Sequence, residues 1–191
     1  MFKSLFKKEN KVLEVYNESI NHPYDVEEDI NYIERLAKED KNEFKNLVNL
    51  FESLPEKINN EISKKMKLAS ILSNLGHEPV KDFLIRVIYS KDDDIKKDSS
   101  YNWTKMDNKI WAAGNLVKFS DERGVEFIKK IFEKTDKNEK NWILEILSLA
   151  GNVMSISLIL ELAKKDKFIE EQIGDRKTWE EMLEKKLIKN S

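Results

Sequence analysis

The chain has 191 residues, which is long enough for one domain with its own hydrophobic core. Charged residues make up 37% of it and hydrophobic residues 40%, with only five glycines and three prolines. This balance favours helices with polar outer faces over a sandwich or barrel, which needs more turn residues. The formal net charge of −2 argues against nucleic acid as the main partner.

Cysteine is absent, which excludes a disulfide framework and a thiolate metal site. No run of eighteen apolar residues is present, so the sequence predicts no transmembrane helix. The sequence carries no recognisable phosphate-binding, dinucleotide-binding or metalloprotease motif. We therefore expect a cytoplasmic protein without a cofactor.

Apolar residues recur at helical spacing along most of the chain, and no strand-like alternation of useful length is present. A short apolar segment near 168–169 precedes the last helix. The apolar positions of the predicted helices span 12–20, 26–37, 44–51, 58–73, 80–88, 106–117, 125–132, 143–150, 153–163 and 179–187.

The pattern is interrupted once, at residues 91–108, which read KDDDIKKDSSYNWTKMDN. This segment is polar and charged and has no clean period. Long irregular connections inside compact domains are usually functional or mobile. The segment is therefore a candidate for function.

The first third of the chain is acidic. Residues 10–53 contain eleven acidic and five basic residues. Glu27, Glu28 and Asp29 form the densest acidic group in this region. Complementary charge selects and speeds encounters between proteins, so this region predicts a basic protein partner.

Three segments align with one another. They read LASILSNLGHEPVKDFLIRVI, WAAGNLVKFSDERGVEFIKKI and ILEILSLAGNVMSISLILEL. An offset of 44 places Phe83 on Phe127, and an offset of 31 places Ile128 on Ile159. In each copy a helix ends in a short turn and a second helix begins at once. The mean offset is typical of a two-helix repeat.

These segments resemble HEAT-like repeats, which are stacked antiparallel helix pairs. The resemblance implies an all-α fold, a short right-handed α-solenoid of antiparallel helix pairs capped by a C-terminal helix. We expect a single domain, 1–191, with acidic N-terminal helices (10–65), HEAT-like repeats (66–165) and a capping helix (176–189). An irregular helical bundle is the alternative.

Two local features follow from that arrangement. The 143–162 pair is almost wholly apolar and needs cover on both sides, which residues 111–132 and the stripe from Trp179 to Leu187 can supply. The small residues Ala112, Ala113 and Gly114 allow a neighbouring helix to approach closely.

Trp111 and Trp142 are separated by 31 residues, the repeat offset, so we expect them at equivalent positions on successive helix pairs. Tyr101 and Trp103 come from the irregular segment beside them. These residues form either inter-repeat packing or an aromatic strip for binding a protein, because large rigid aromatics lose little entropy on contact.

A second function class depends on Trp103 and Asp107. Their local spacing resembles that of the HEAT-like alkylpurine DNA glycosylases, in which Trp residues and an Asp line a DNA groove. Such an enzyme needs a basic groove for phosphates, and residues 91–109 carry five acidic against five basic side chains.

We expect a non-enzymatic protein-binding module, and homo-oligomers are also compatible with the sequence. Small cytoplasmic helical proteins of this kind resemble bacterial immunity proteins, which inhibit a toxin; a nuclease toxin would be a basic partner. The glycosylase is the alternative. A further alternative is a membrane-surface scaffold held by the basic start MFKSLFKK.

Overall fold

A computed structural model describes residues 11–21, 26–55, 59–90 and 105–189. Side-chain environments are described within these ranges except at 18–21, 26–29, 59–63 and 105. The basic start at residues 1–8 and residues 91–104 of the irregular segment lie outside the described residues. Within the described ranges every regular element is an α-helix, which confirms the all-α prediction.

The eleven helices of the described residues follow the predicted apolar periods closely. They are α1 Lys11–Asn21, α2 Val26–Glu39, α3 Lys41–Ser53, α4 Asn59–Asn74, α5 Val80–Tyr89, α6 Lys105–Lys118, α7 Glu122–Phe132, α8 Lys137–Ala150, α9 Val153–Lys165, α10 Lys167–Ile173 and α11 Arg176–Lys189.

Side-chain caps explain where several of these helices begin. The carboxylates of Asp40, Asp121 and Asp136 accept hydrogen bonds from backbone N–H groups in the first turns of α3, α7 and α8. Such caps satisfy N–H groups that have no partner within the helix. Asp136 and Glu139 form a reciprocal capping box at the start of α8.

The chain divides into two compact units, and the described residues up to His77 belong to the first. In that unit α1 packs on α2 and α3, while α4 packs on α2 and α3. Its core includes Val12, Ile33 and Leu47, which are fully buried. The Tyr16 hydroxyl donates a hydrogen bond to the Lys64 carbonyl at 2.8 Å and so connects α1 to α4.

The second unit comprises the described residues from Glu78 onward. Helix α6 is central to it and packs against α5, α7 and α8. Helix α9 packs against α7, α8, α10 and α11. The fully buried residues Leu116, Ile128, Ile143, Leu147 and Ile159 lie in this core. The pairs α6–α7 and α8–α9 therefore pack on one another, as neighbouring helix pairs do in a layered helical fold.

Small residues set the spacing between α6 and its neighbours. A Cβ atom added at Gly114 would lie 1.6 Å from the Ile146 Cγ2 atom of α8. A Cβ atom at Gly124 of α7 would lie 2.5 Å from the Ala113 carbonyl oxygen. The predicted close approach of neighbouring helices at residues 112–114 is confirmed.

The turns after α4, α6 and α8 share a backbone feature. Gly76, Ser120 and Gly151 have φ angles of +74°, +56° and +56°. The offsets of 44 and 31 that align the three sequence segments also align these residues. A left-handed residue commonly terminates a helix in this way. The agreement supports the repeat alignment, while the solenoid arrangement stays a prediction.

Helix α11 packs against α9, but it contains no fully buried residue. Trp179 and Leu183 are half-buried, whereas Met182 and Leu187 remain 40% and 51% exposed. The half-buried face also includes Arg176 and Lys186. The predicted apolar stripe is therefore only partly covered, because the packed face is rotated toward these two basic residues.

Candidate functional site

Five of the predicted partner-binding residues have side chains outside the described part of the structure. Tyr101 and Trp103 lie outside the described residues. Glu27, Glu28 and Asp29 occupy the first turn of α2, but their side-chain environments lie outside the description. The acidic N-terminal face accordingly stays a prediction.

The two central tryptophans lie on helices that pack together. Trp111 is on α6 and Trp142 is on α8, and each is half-buried. The indole Nε1 atom of Trp142 is buried. Asp107, in the first turn of α6, is also half-buried. Half-burial is compatible with inter-helix packing and with partner contact, so the aromatic strip stays a prediction.

A groove between α7 and α9 is the candidate site of the second unit. It has a volume of about 550 Å³ and is open to solvent. The α7 residues that line it are spaced i, i+3, i+4 and i+7, so they share one helix face. The α9 residues likewise share one face. The lining residues are Ser120, Glu122, Val125, Glu126, Lys129, Val153, Met154, Ser157, Leu158 and Glu161.

The floor of the groove is apolar. Leu158 is buried, while Val125, Val153 and Met154 are half-buried and form the accessible part of the floor. Methionine is flexible and polarisable, so it adapts to differently shaped apolar side chains. A partner placed here would remove this partly accessible apolar surface from water.

The rim of the groove is mainly acidic. Glu122, Glu126 and Glu161 contribute three carboxylates, and Lys129 contributes one ammonium group. The Lys129 Nζ atom lies 2.5 Å from Glu161 Oε2 and so bridges α7 and α9. Hydrogen bonds from Lys129 and then Lys165 lower the pKa of Glu161. These two lysines offset the charge of Glu161.

Glu122 and Glu126 differ from Glu161 in this respect. Both are exposed, and among the described side chains neither has an ion-pair partner. They lie four residues apart on α7 and therefore one turn apart on the same face. These two carboxylates are the negative charges that the groove offers to a partner.

Asn152 connects the end of α6 to the start of α9, next to the groove-lining residue Val153. Its side-chain oxygen accepts a hydrogen bond from the Ser155 N–H and caps α9. Its amide nitrogen donates to the Val117 carbonyl at 2.6 Å, at the end of α6. A single side chain thus satisfies backbone groups at the end of α6 and the start of α9.

The described residues contain no group of three or more His, Cys, Asp or Glu side chains arranged to hold a metal ion. The same part of the chain contains no helix long and apolar enough to cross a membrane. The groove combines partly accessible apolar side chains with two exposed carboxylates.

Sequence reasoning missed the groove residues. The spacing of Glu122, Val125, Glu126 and Lys129 is visible in ERGVEFIK, and it marks one face of a helix. Asn152 before the apolar run VMSISLILEL carries the signature of an N-cap. Neither signal indicates that α7 and α9 lie side by side, which is a tertiary property.

Comparisons with protein-family models, curated proteins and solved structures found no match to this chain. The function proposed below is therefore inferred from the fold and the groove.

Proposed function

We propose that the chain is a non-enzymatic protein-binding module and that the groove between α7 and α9 is its docking surface. One observation carries this proposal: a partly accessible apolar floor lies inside a rim with two exposed carboxylates, Glu122 and Glu126. Accessible apolar surface rimmed by polar residues is typical of protein interaction sites.

The two parts of the groove contribute differently to binding. Contact with Val125, Val153 and Met154 supplies affinity through burial of apolar surface. The rim carboxylates select a partner with complementary positive charge and increase its association rate. The partner is therefore a basic protein, and a nuclease toxin inhibited by this chain is one form that the pairing can take.

The test compares charge reversal at two groove residues with charge reversal at two residues outside the groove. The tagged protein and two double variants, Glu122→Lys/Glu126→Lys and Glu133→Lys/Glu145→Lys, are used to capture companions from the lysate of the source organism. All four glutamates are exposed, so both variants change the charge equally without emptying the core.

We expect a stoichiometric basic companion with the wild type and the Glu133/Glu145 variant, and its loss with the Glu122/Glu126 variant. Circular dichroism verifies that both variants keep their helices. A companion retained equally by all three proteins, or recovered with none, would contradict the proposal.

A further inference from the structure

We infer that the segment of the partner that occupies the groove is a basic amphipathic α-helix. This inference rests on the proposed function, since it names the occupant of the same docking surface.

The walls of the groove exclude one common mode of peptide recognition. An extended strand binds by pairing with free backbone N–H and C=O groups at a sheet edge. Helices α7 and α9 use these groups in their own hydrogen bonds, and the described residues contain no strand. The occupant must therefore bind through its side chains.

The dimensions of the groove fit a helix. Along α7 the lining runs from Glu122 to Lys129, which is two turns or about 10 Å at 1.5 Å per residue. Along α9 it runs from Val153 to Glu161, a similar length. Side chains of a third helix pack between those of two neighbouring helices at interaxial distances of about 8–10 Å. Two to three turns of helix fill this length.

The charges specify which residues that helix carries. Glu122 and Glu126 are one turn apart, so they match two Lys or Arg residues at i and i+4 on the occupant. Glu161 contributes little, because Lys129 and Lys165 already contact it. An apolar stripe beside the two cations contacts Val125, Met154 and Leu158.

The experiment uses labelled synthetic peptides and the full chain. The probe is a 14-residue peptide of leucine and lysine, with leucines at i, i+3, i+4 and i+7 and lysines one turn apart on one flank. A scrambled peptide of the same composition has no apolar face when helical. A third peptide replaces the lysines by glutamates. Fluorescence anisotropy gives the affinities.

We expect the amphipathic peptide to bind the wild type and to become helical, as measured by peptide-label NMR or difference circular dichroism. The Glu122→Gln/Glu126→Gln variant should bind it about fivefold to tenfold more weakly, which corresponds to two exposed ion pairs. The matched variant Glu133→Gln/Glu145→Gln should bind as the wild type does.

Equal binding of the scrambled peptide, unchanged affinity in the Glu122/Glu126 variant, or no detectable binding of the amphipathic peptide would overturn the helical occupant. The capture experiment separates this failure from failure of the docking surface. If charge reversal abolishes capture of the native companion while the peptide does not bind, the groove still docks a protein, but not a helix of this type.

Discussion

Ser120 is the single residue, among the described non-glycine positions, with a positive φ angle. It occupies the turn between α6 and α7, where its N–H donates to Val117 and the next N–H donates to Leu116. This pattern is a Schellman termination, in which glycine is preferred because a Cβ atom is unfavourable in the left-handed region. Ser120 also lines the groove.

Replacing Ser120 by glycine should stabilise the protein by about 0.5–1 kcal/mol, because the left-handed conformation then costs less. The Ser120 hydroxyl is 3.4 Å from the Asn152 amide nitrogen, so little hydrogen bonding is lost. Urea denaturation measures the change. The reverse substitution at the aligned turn, Gly151→Ser, should destabilise by about the same amount; a stabilised Gly151→Ser variant would refute this explanation.

Asp166 is a second residue whose side chain has two roles. It caps α10 through the Ile169 N–H and pairs with Lys140 of α8, with the Lys140 Nζ atom 2.6 Å from the carboxylate. The hydrogen bond from Lys140 is the main reason that the pKa of Asp166 is lowered. An Asp with a lowered folded-state pKa stabilises the fold above its unfolded pKa of about 3.9, and this contribution is lost as pH falls through the folded value.

Asp166→Asn keeps the capping oxygen and removes the charge. We expect a loss of about 1 kcal/mol at pH 7, and this loss should shrink as pH falls from about 4 through the lowered folded-state pKa of Asp166. Denaturation of the wild type and variant at several pH values measures it. Lys140→Met should remove most of this pH-dependent contribution, because the Lys140 hydrogen bond is its largest cause. A Lys140→Met protein that retains the full contribution would show that another group supplies it.

At the scale of elements, α6 decides how the second unit packs. It contacts α5, α7 and α8. Gly114 of α6 lets α8 approach closely, and Gly124 of α7 lets α7 approach α6 closely. Such contacts leave no room for an added methyl group, because protein interiors are densely packed.

Gly114→Ala tests the α6–α8 approach. Alanine favours a helix by about 1 kcal/mol over glycine, but overpacking against Ile146 costs about 1–3 kcal/mol, so we expect net destabilisation. In an Ile146→Ala background the Cγ2 atom is absent, and Gly114→Ala should become neutral or stabilising. Chemical denaturation of the four proteins gives the coupling. If Gly114→Ala lowered the stability equally in the wild-type and Ile146→Ala backgrounds, the contact with Ile146 would not be the source of the strain.

At the scale of the whole molecule, charge is nearly balanced while its distribution is uneven. The net charge is −2, yet the groove of the second unit carries three carboxylates and one lysine. Exposed charges act over about 8–10 Å at moderate salt, so this local surplus affects encounter more than the final contact.

The association rate of the captured companion should therefore fall about tenfold between 50 mM and 500 mM salt, while its dissociation rate changes by about twofold or less. Surface plasmon resonance measures both rates. If salt changed mainly the dissociation rate, buried charge pairs rather than rim carboxylates would govern binding.

The helical class and the helix positions were predictable from local patterns, because the apolar period and the caps depend on residues close together in the chain. Residues such as Ile143 and Leu147 recur at helical spacing and are buried in the fold. The close approach at Gly114 was also predictable, because glycine leaves space for a neighbour.

The packing of one face of α7 beside one face of α9 became visible in the folded structure alone. Glu122 and Met154 are 32 positions apart in the chain, and no local sequence pattern predicts that they line the same groove. The rotation of α11, which leaves Leu187 exposed, was likewise not predictable. Helix formation depends on neighbours in sequence, whereas pairing of faces depends on how all apolar surfaces of the unit are buried together.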